Sequence, residues 1–102
     1  MQVKKRVTGD SLTIYLYGEV DECSSENTKR ILDNLINDNL NKKSCVFDLS
    51  GVSFMDSTGI GLLIGRYKKL KQYNIDSYIS GATFATEKVL QLSGIYSIMP
   101  KF

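Results

Sequence analysis

Residues 45–73 read CVFDLSGVSFMDSTGIGLLIGRYKKLKQY, and the fold turns on how this stretch is divided. Cys45-Val46-Phe47, extended by Leu49, is an apolar run too short for a helix. It suits a strand covered on both faces. Ser50 to Met55 reads as a loop that carries apolar residues. A helix is expected from Ser57 to about Tyr73. At about 100° per residue, Ile60, Leu63, Ile64, Tyr67 and Leu70 fall within one arc and form its core face. Gly61, Gly65 and Thr58 lie on another face with Leu62 beside them.

The pattern continues in both directions. Val3 to Val7 is a short extended stretch, and Thr8-Gly9-Asp10-Ser11 is turn chemistry. Leu12, Ile14 and Leu16 alternate with polar neighbours, which predicts a hairpin with a half-buried second strand. Gly18 to Glu22 leads into a helix that Ser24 or Ser25 can cap, with Glu26 in its first turn. Ile31, Leu32, Leu35, Ile36 and Leu40 give that helix one apolar stripe. Downstream, Tyr78-Ile79 is a short strand. Thr83 can cap a third helix carrying Phe84, Val89, Leu90 and Leu92. Gly94 is placed to end it in a left-handed cap, and Ile95 to Met99 is expected as a last strand before Pro100. The order is β-β-α-β-α-β-α-β. This is an α/β chain with a mixed, mostly parallel sheet packed against helices and joined by right-handed crossovers.

Composition narrows the function. With 102 residues the chain has the length of one domain. Its 13 basic and 11 acidic residues give a net charge of +2. Lys4-Lys5-Arg6 reads as a solvated edge strand, where lysine discourages strand-to-strand aggregation. Arg66 to Lys71 reads as cations favouring the negative end of a helix dipole. Neither makes a nucleic-acid surface, and no direct nucleic-acid partner is expected. Cys23 and Cys45 form no CxxC pair and there is no histidine, so no metal site is expected. Without a disulfide framework, signal peptide or long apolar span, the chain reads as cytoplasmic with no membrane partner.

Phe54-Met55-Asp56-Ser57-Thr58-Gly59 sits where a strand's carboxyl-end loop meets a helix start. Functional groups gather there in open α/β sheets. The Ser57 hydroxyl is near backbone N–H groups that, with the helix dipole, can hold a phosphate. Asp56 or Ser57 can equally serve as a simple helix cap. Glycine inside a helix costs about 1 kcal/mol relative to alanine. Two glycines on one stripe therefore suggest close approach of another backbone, from a partner or from a neighbouring helix of the same domain. Ser57, Thr58, Gly61, Leu62 and Gly65 are the candidate partner surface. Catalysis is disfavoured: with no histidine, Ser-His-Asp and Cys-His arrangements cannot form. The glycines after Gly59 miss the dinucleotide spacing, since Ile64 stands where the third is needed. No cofactor is expected.

Residues 54–61, Gly65-Arg66-Tyr67-Lys68, the early Gly18-Glu19-Val20-Asp21 and the late Leu92-Ser93-Gly94-Ile95 together resemble the bacterial anti-sigma factor antagonists of the STAS domain family. The Gly-Arg-Tyr-Lys segment is most similar to the family's sporulation branch. The resemblance covers nearly the whole chain and implies one STAS domain over 1–102. It also implies that Ser57 is phosphorylated by an anti-sigma factor with serine kinase activity, and that a protein phosphatase resets the switch. The unmodified form would bind that anti-sigma factor and release a sporulation sigma factor. The protein would thus be a kinase substrate and not an enzyme. Asp21 and Asp56 would share the partner surface with Ser57, and Thr58 stands where a second serine is common. Close relatives often continue past the position of Phe102 into a further helix. The alternatives are a general stress-response antagonist and a small nucleotide-binding regulatory domain.

Overall fold

A computed structural model describes residues 2–21 and 23–102; Glu22, expected to lead into the first helix, lies outside the described residues. The elements run β1 (Gln2–Thr8), β2 (Ser11–Val20), α1 (Ser25–Asn37), β3 (Ser44–Met55), α2 (Ser57–Gln72), β4 (Asp76–Ser80), α3 (Phe84–Ser93) and a 3-10 turn at Ile95–Ser97. The sheet order is β1-β2-β3-β4. β1 pairs antiparallel with β2, as the hairpin signals require, and β2-β3 and β3-β4 are parallel. The mixed, mostly parallel α/β reading therefore holds, and the Lys4-Lys5-Arg6 strand is an edge.

Helices cover one face of this sheet. Leu12, Ile14 and Leu16 alternate inward along β2, and their β3 neighbours Cys45 and Phe47 point the same way. They form one core with Leu32 and Ile36 of α1, Ile60, Leu63 and Leu70 of α2, and Leu90 of α3. The expectation that the Cys45-Val46-Phe47 run is covered on both faces holds, since Val46, opposite in direction to Cys45 and Phe47, is only 3% exposed. On that second face Val46 packs apart from the main core cluster, between the half-buried Thr13 and Tyr78. The Phe102 ring packs edge-on to Tyr78 on that side, at 5.7 Å between centroids.

Three expectations are revised. Residues 50–55 are not a loop but the second half of β3. β2 is long enough to supply backbone partners as far as Val20, opposite Met55. Irregularities at Tyr15/Tyr17 and Gly18/Glu19 realign the pairing, which absorbs Gly18 and Glu19 into β2. The last strand is absent. Ile95 and Met99 are both buried at a spacing of four, and the N–H of Met99 bonds the carbonyl of Ile95 at 2.8 Å. That is helical period, not strand period. Only Lys101 makes a bridge, to Ile79 of β4. Finally, of the cations between Arg66 and Lys71, Lys69 and Lys71 stand in the last turn of α2 as expected, but Arg66 does not serve the helix end. It is 7% exposed and lies against Asp33 of α1.

Gly94 ends α3 at φ 76°, in the left-handed conformation its position predicts. Thr83 precedes α3, but its hydroxyl donates to the carbonyl of Val52 (3.2 Å) and caps no helix N–H. Among the described residues, no helix is long and apolar enough to cross a membrane.

Candidate functional site

Parallel pairing brings the two helix starts together. Val20 is opposite Met55, so Asp21 and Asp56 leave adjacent strands at the same end of the sheet. Asp56 caps α2, with its Oδ1 accepting from the N–H groups of Thr58 (2.9 Å) and Gly59 (3.4 Å). The carboxylate also suits the positive end of the helix dipole. Asp56 therefore does the capping, and Ser57 stands exposed beside an occupied cap. Asp21 is tied to Ser24: its Oδ1 accepts from the Ser24 N–H and hydroxyl, each at 3.2 Å. Ser24 precedes α1, but its hydroxyl makes no bond to a helix N–H.

From this end a groove of about 290 Å³ runs between α1 and α2. Thr58, Gly61, Leu62, Gly65 and Arg66 line the α2 side, and Ser25, Glu26 and Lys29 line the α1 side. Four of the candidate surface residues thus meet in one groove, with Ser57, Asp56 and Asp21 where the helices begin. Gly61 and Gly65 form an open floor. A β-carbon added at either would meet nothing within 4 Å. A neighbouring helix of the same domain therefore does not account for these two glycines. Gly59 differs, since its β-carbon would stand 2.5 Å from Met55 Cγ. That glycine is required by packing within the domain.

Leu62 departs from expectation: it is 7% exposed and belongs to the core cluster, touching the groove only at its margin. The α1 wall could not be read from sequence, because only the tertiary pairing of the helices brings Ser25 and Lys29 opposite the glycines. Arg66 has a legible signal in hindsight, being four residues beyond Leu62 on the same helical row.

Two exposed aromatics stand near the same end. Phe54 is 49% and Phe84 99% exposed, and the Thr83–Val52 hydrogen bond holds the start of α3 beside the end of β3. A larger cleft of about 400 Å³ lies at the far end of α2, among Lys71, Ser77 and Ile98. Size does not make it the better candidate, since its charged residues are one cation and one anion, Lys71 and Asp76, and it is remote from Ser57. The buried thiol of Cys45 is pushed up to about 12 by desolvation and is inert at neutral pH.

The sequence matches the STAS domain over residues 2–102. It is 30% identical over 92 residues to an anti-sigma F factor antagonist of Paenibacillus polymyxa, covering 87% of this chain and 75% of that one. It is 29% identical over 101 residues to an anti-sigma-B factor antagonist of Listeria monocytogenes, covering 97% and 84%. The fold superposes on the unphosphorylated form of the anti-sigma factor antagonist SpoIIAA with a TM-score of 0.80. That comparison covers 99% of this chain and 88% of the other at 24% identity, and it bears on the fold alone.

Proposed function

This chain belongs to the STAS domain family, and on that premise we propose that it is an anti-sigma factor antagonist switched by phosphorylation of Ser57. In this reading the unmodified protein binds an anti-sigma factor through the α1–α2 groove and the helix starts beside it. The partner is also the serine kinase, and a phosphatase restores the unmodified form. The protein is then a cytoplasmic regulator, a substrate of both enzymes and not itself a catalyst. The observation that carries the proposal is the division of labour at the start of α2. Asp56 takes the first-turn N–H groups and leaves the Ser57 hydroxyl exposed at the mouth of a glycine-floored groove. Thr58 is half-buried and faces the groove, which favours Ser57 over Thr58 as phosphate acceptor.

Phosphorylation adds about −1.5 to −2 charge. The new phosphate sits next to the Asp56 carboxylate, and like charge forced into an interface costs several kcal/mol. Since ~1.4 kcal/mol is tenfold in affinity, one phosphate is enough to end useful binding. The isolated domain tolerates it, because the group lies at a helix N-terminus open to solvent.

Identity separates the F and B branches by one percentage point. The sporulation branch is favoured here on Gly65-Arg66-Tyr67-Lys68, whose arginine shapes the groove. The test is calorimetric titration with purified anti-sigma F factor and, separately, anti-sigma-B factor. The unmodified protein should bind one of them, and Ser57→Asp should weaken that binding at least tenfold. Failure to bind either, with saturable nucleotide binding instead, would overturn the proposal.

A further inference from the structure

We infer that the partner element seated in the α1–α2 groove carries an acidic side chain, and that Arg66, flanked by Lys29, receives its carboxylate. This rests on the groove being the anti-sigma factor surface. The first observation is an under-coordinated cation. Arg66 is 7% exposed, and its guanidinium has five N–H donors to satisfy. Nε lies 3.0 Å from Asp33 Oδ1 but off the hydrogen-bond line, so the contact is an ion pair only. Nη1 is buried with no hydrogen-bond partner. Asp33 is shared as well, since Lys69 Nζ stands 3.7 Å from the same oxygen. A buried charge is costly unless it is both paired and hydrogen-bonded.

Charge around the groove points the same way. Among the described residues that line the groove, Lys29 and Arg66 stand against Glu26 alone, one cation in excess, while Asp21 and Asp56 lie at its end. Nε and Nη1 are sealed from solvent, so an incoming carboxylate meets Arg66 at the part of the guanidinium that lines the groove, with Lys29 beside it.

The second observation is the floor. Gly61 and Gly65 leave space that no described residue of this domain fills. A backbone laid across them comes within reach of Arg66, the next residue along α2. A phosphate on Ser57 cannot take this role within the molecule, because nine residues of helix place it about 13 Å away along the axis. An acidic occupant also sharpens the switch, since the phosphate then meets a partner element that already carries negative charge.

The experiment titrates whichever anti-sigma factor binds against wild type, Lys29→Glu and Arg66→Gln. Each variant is first checked for a native circular-dichroism spectrum and melting curve. Lys29→Glu and Arg66→Gln should each weaken binding about tenfold, with a shallower salt dependence. One Asp or Glu of the anti-sigma factor, changed to Lys, should recover binding to Lys29→Glu. Folded variants that bind within about twofold of wild type would overturn the inference. If Arg66→Gln does not fold, the exposed Lys29→Glu decides the matter with its rescue. Wild type that binds neither anti-sigma factor overturns the functional reading too, whereas wild-type binding with insensitive variants overturns this inference alone.

Discussion

Replacing Gly61 and Gly65 by alanine should stabilise the protein and weaken its partner binding at the same time. Both glycines lie inside α2, and a methyl group at either position meets nothing within 4 Å. Each substitution should therefore gain the helix-propensity difference of about 0.8–1 kcal/mol, or ~2 kcal/mol for the pair. In a domain near 100 residues this raises Tm by roughly 8–15 °C. Gly59→Ala is the internal control. Its β-carbon would lie 2.5 Å from Met55 Cγ and 3.0 Å from Val20 Cγ1. Overpacking of about 1–3 kcal/mol offsets the same propensity gain, so this variant should melt no higher than wild type and up to roughly 15 °C lower. Urea and thermal denaturation of the four proteins measure the stability, and calorimetric titration with the anti-sigma factor measures the binding. A fold reason for glycine would appear as a lower Tm in the Gly61/Gly65 double variant, and would refute the reasoning. Unchanged affinity in a stabilised double variant would remove the groove from the interface.

Three other outcomes follow from particular contacts. Leu62→Ala should cost ~2–4 kcal/mol of stability, because the side chain belongs to the core, so chemical denaturation should register it more strongly than partner binding does. Glu87 is held below the usual carboxylate range, chiefly by the Lys101 ammonium at 2.8 Å with help from Tyr96 and Gln91. A depressed folded pKa adds stability above the unfolded value and loses it as pH falls through the folded value. Carboxyl-carbon NMR should therefore place the Glu87 midpoint low in wild type and nearer the ordinary value in Lys101→Ala. Cys23 is exposed while Cys45 is fully buried, so a thiol reagent should label one cysteine in the native protein and both after unfolding.

Much of this arrangement is legible in the sequence, and the misses have physical causes. Alternation at Leu12, Ile14 and Leu16 and the helical spacing of the α1 and α2 apolar residues are local signals, and the elements they predict are present. The second half of β3 was not legible because Ser50, Gly51 and Ser53 carry turn chemistry. Its strand character comes from the long partner β2, which no local window contains. Ile95 to Met99 failed for the converse reason: a short apolar run fits either period, and only burial of Ile95 with Met99 selects the helical one. At the site, the glycine stripe and the hydroxyl pair stood out as departures from good helix composition. The opposing wall of Ser25, Glu26 and Lys29 arises from the docking of α1 on α2, which sequence spacing does not encode.

The most direct test of the central claim is to incubate the protein with ATP and a candidate anti-sigma factor kinase, then locate the phosphate by intact mass and peptide mapping. The account predicts a single phosphate on Ser57, absent in Ser57→Ala, together with loss of anti-sigma factor binding by the modified protein. Phosphate on Thr58 or elsewhere, or full binding by Ser57-phosphorylated protein, would contradict it.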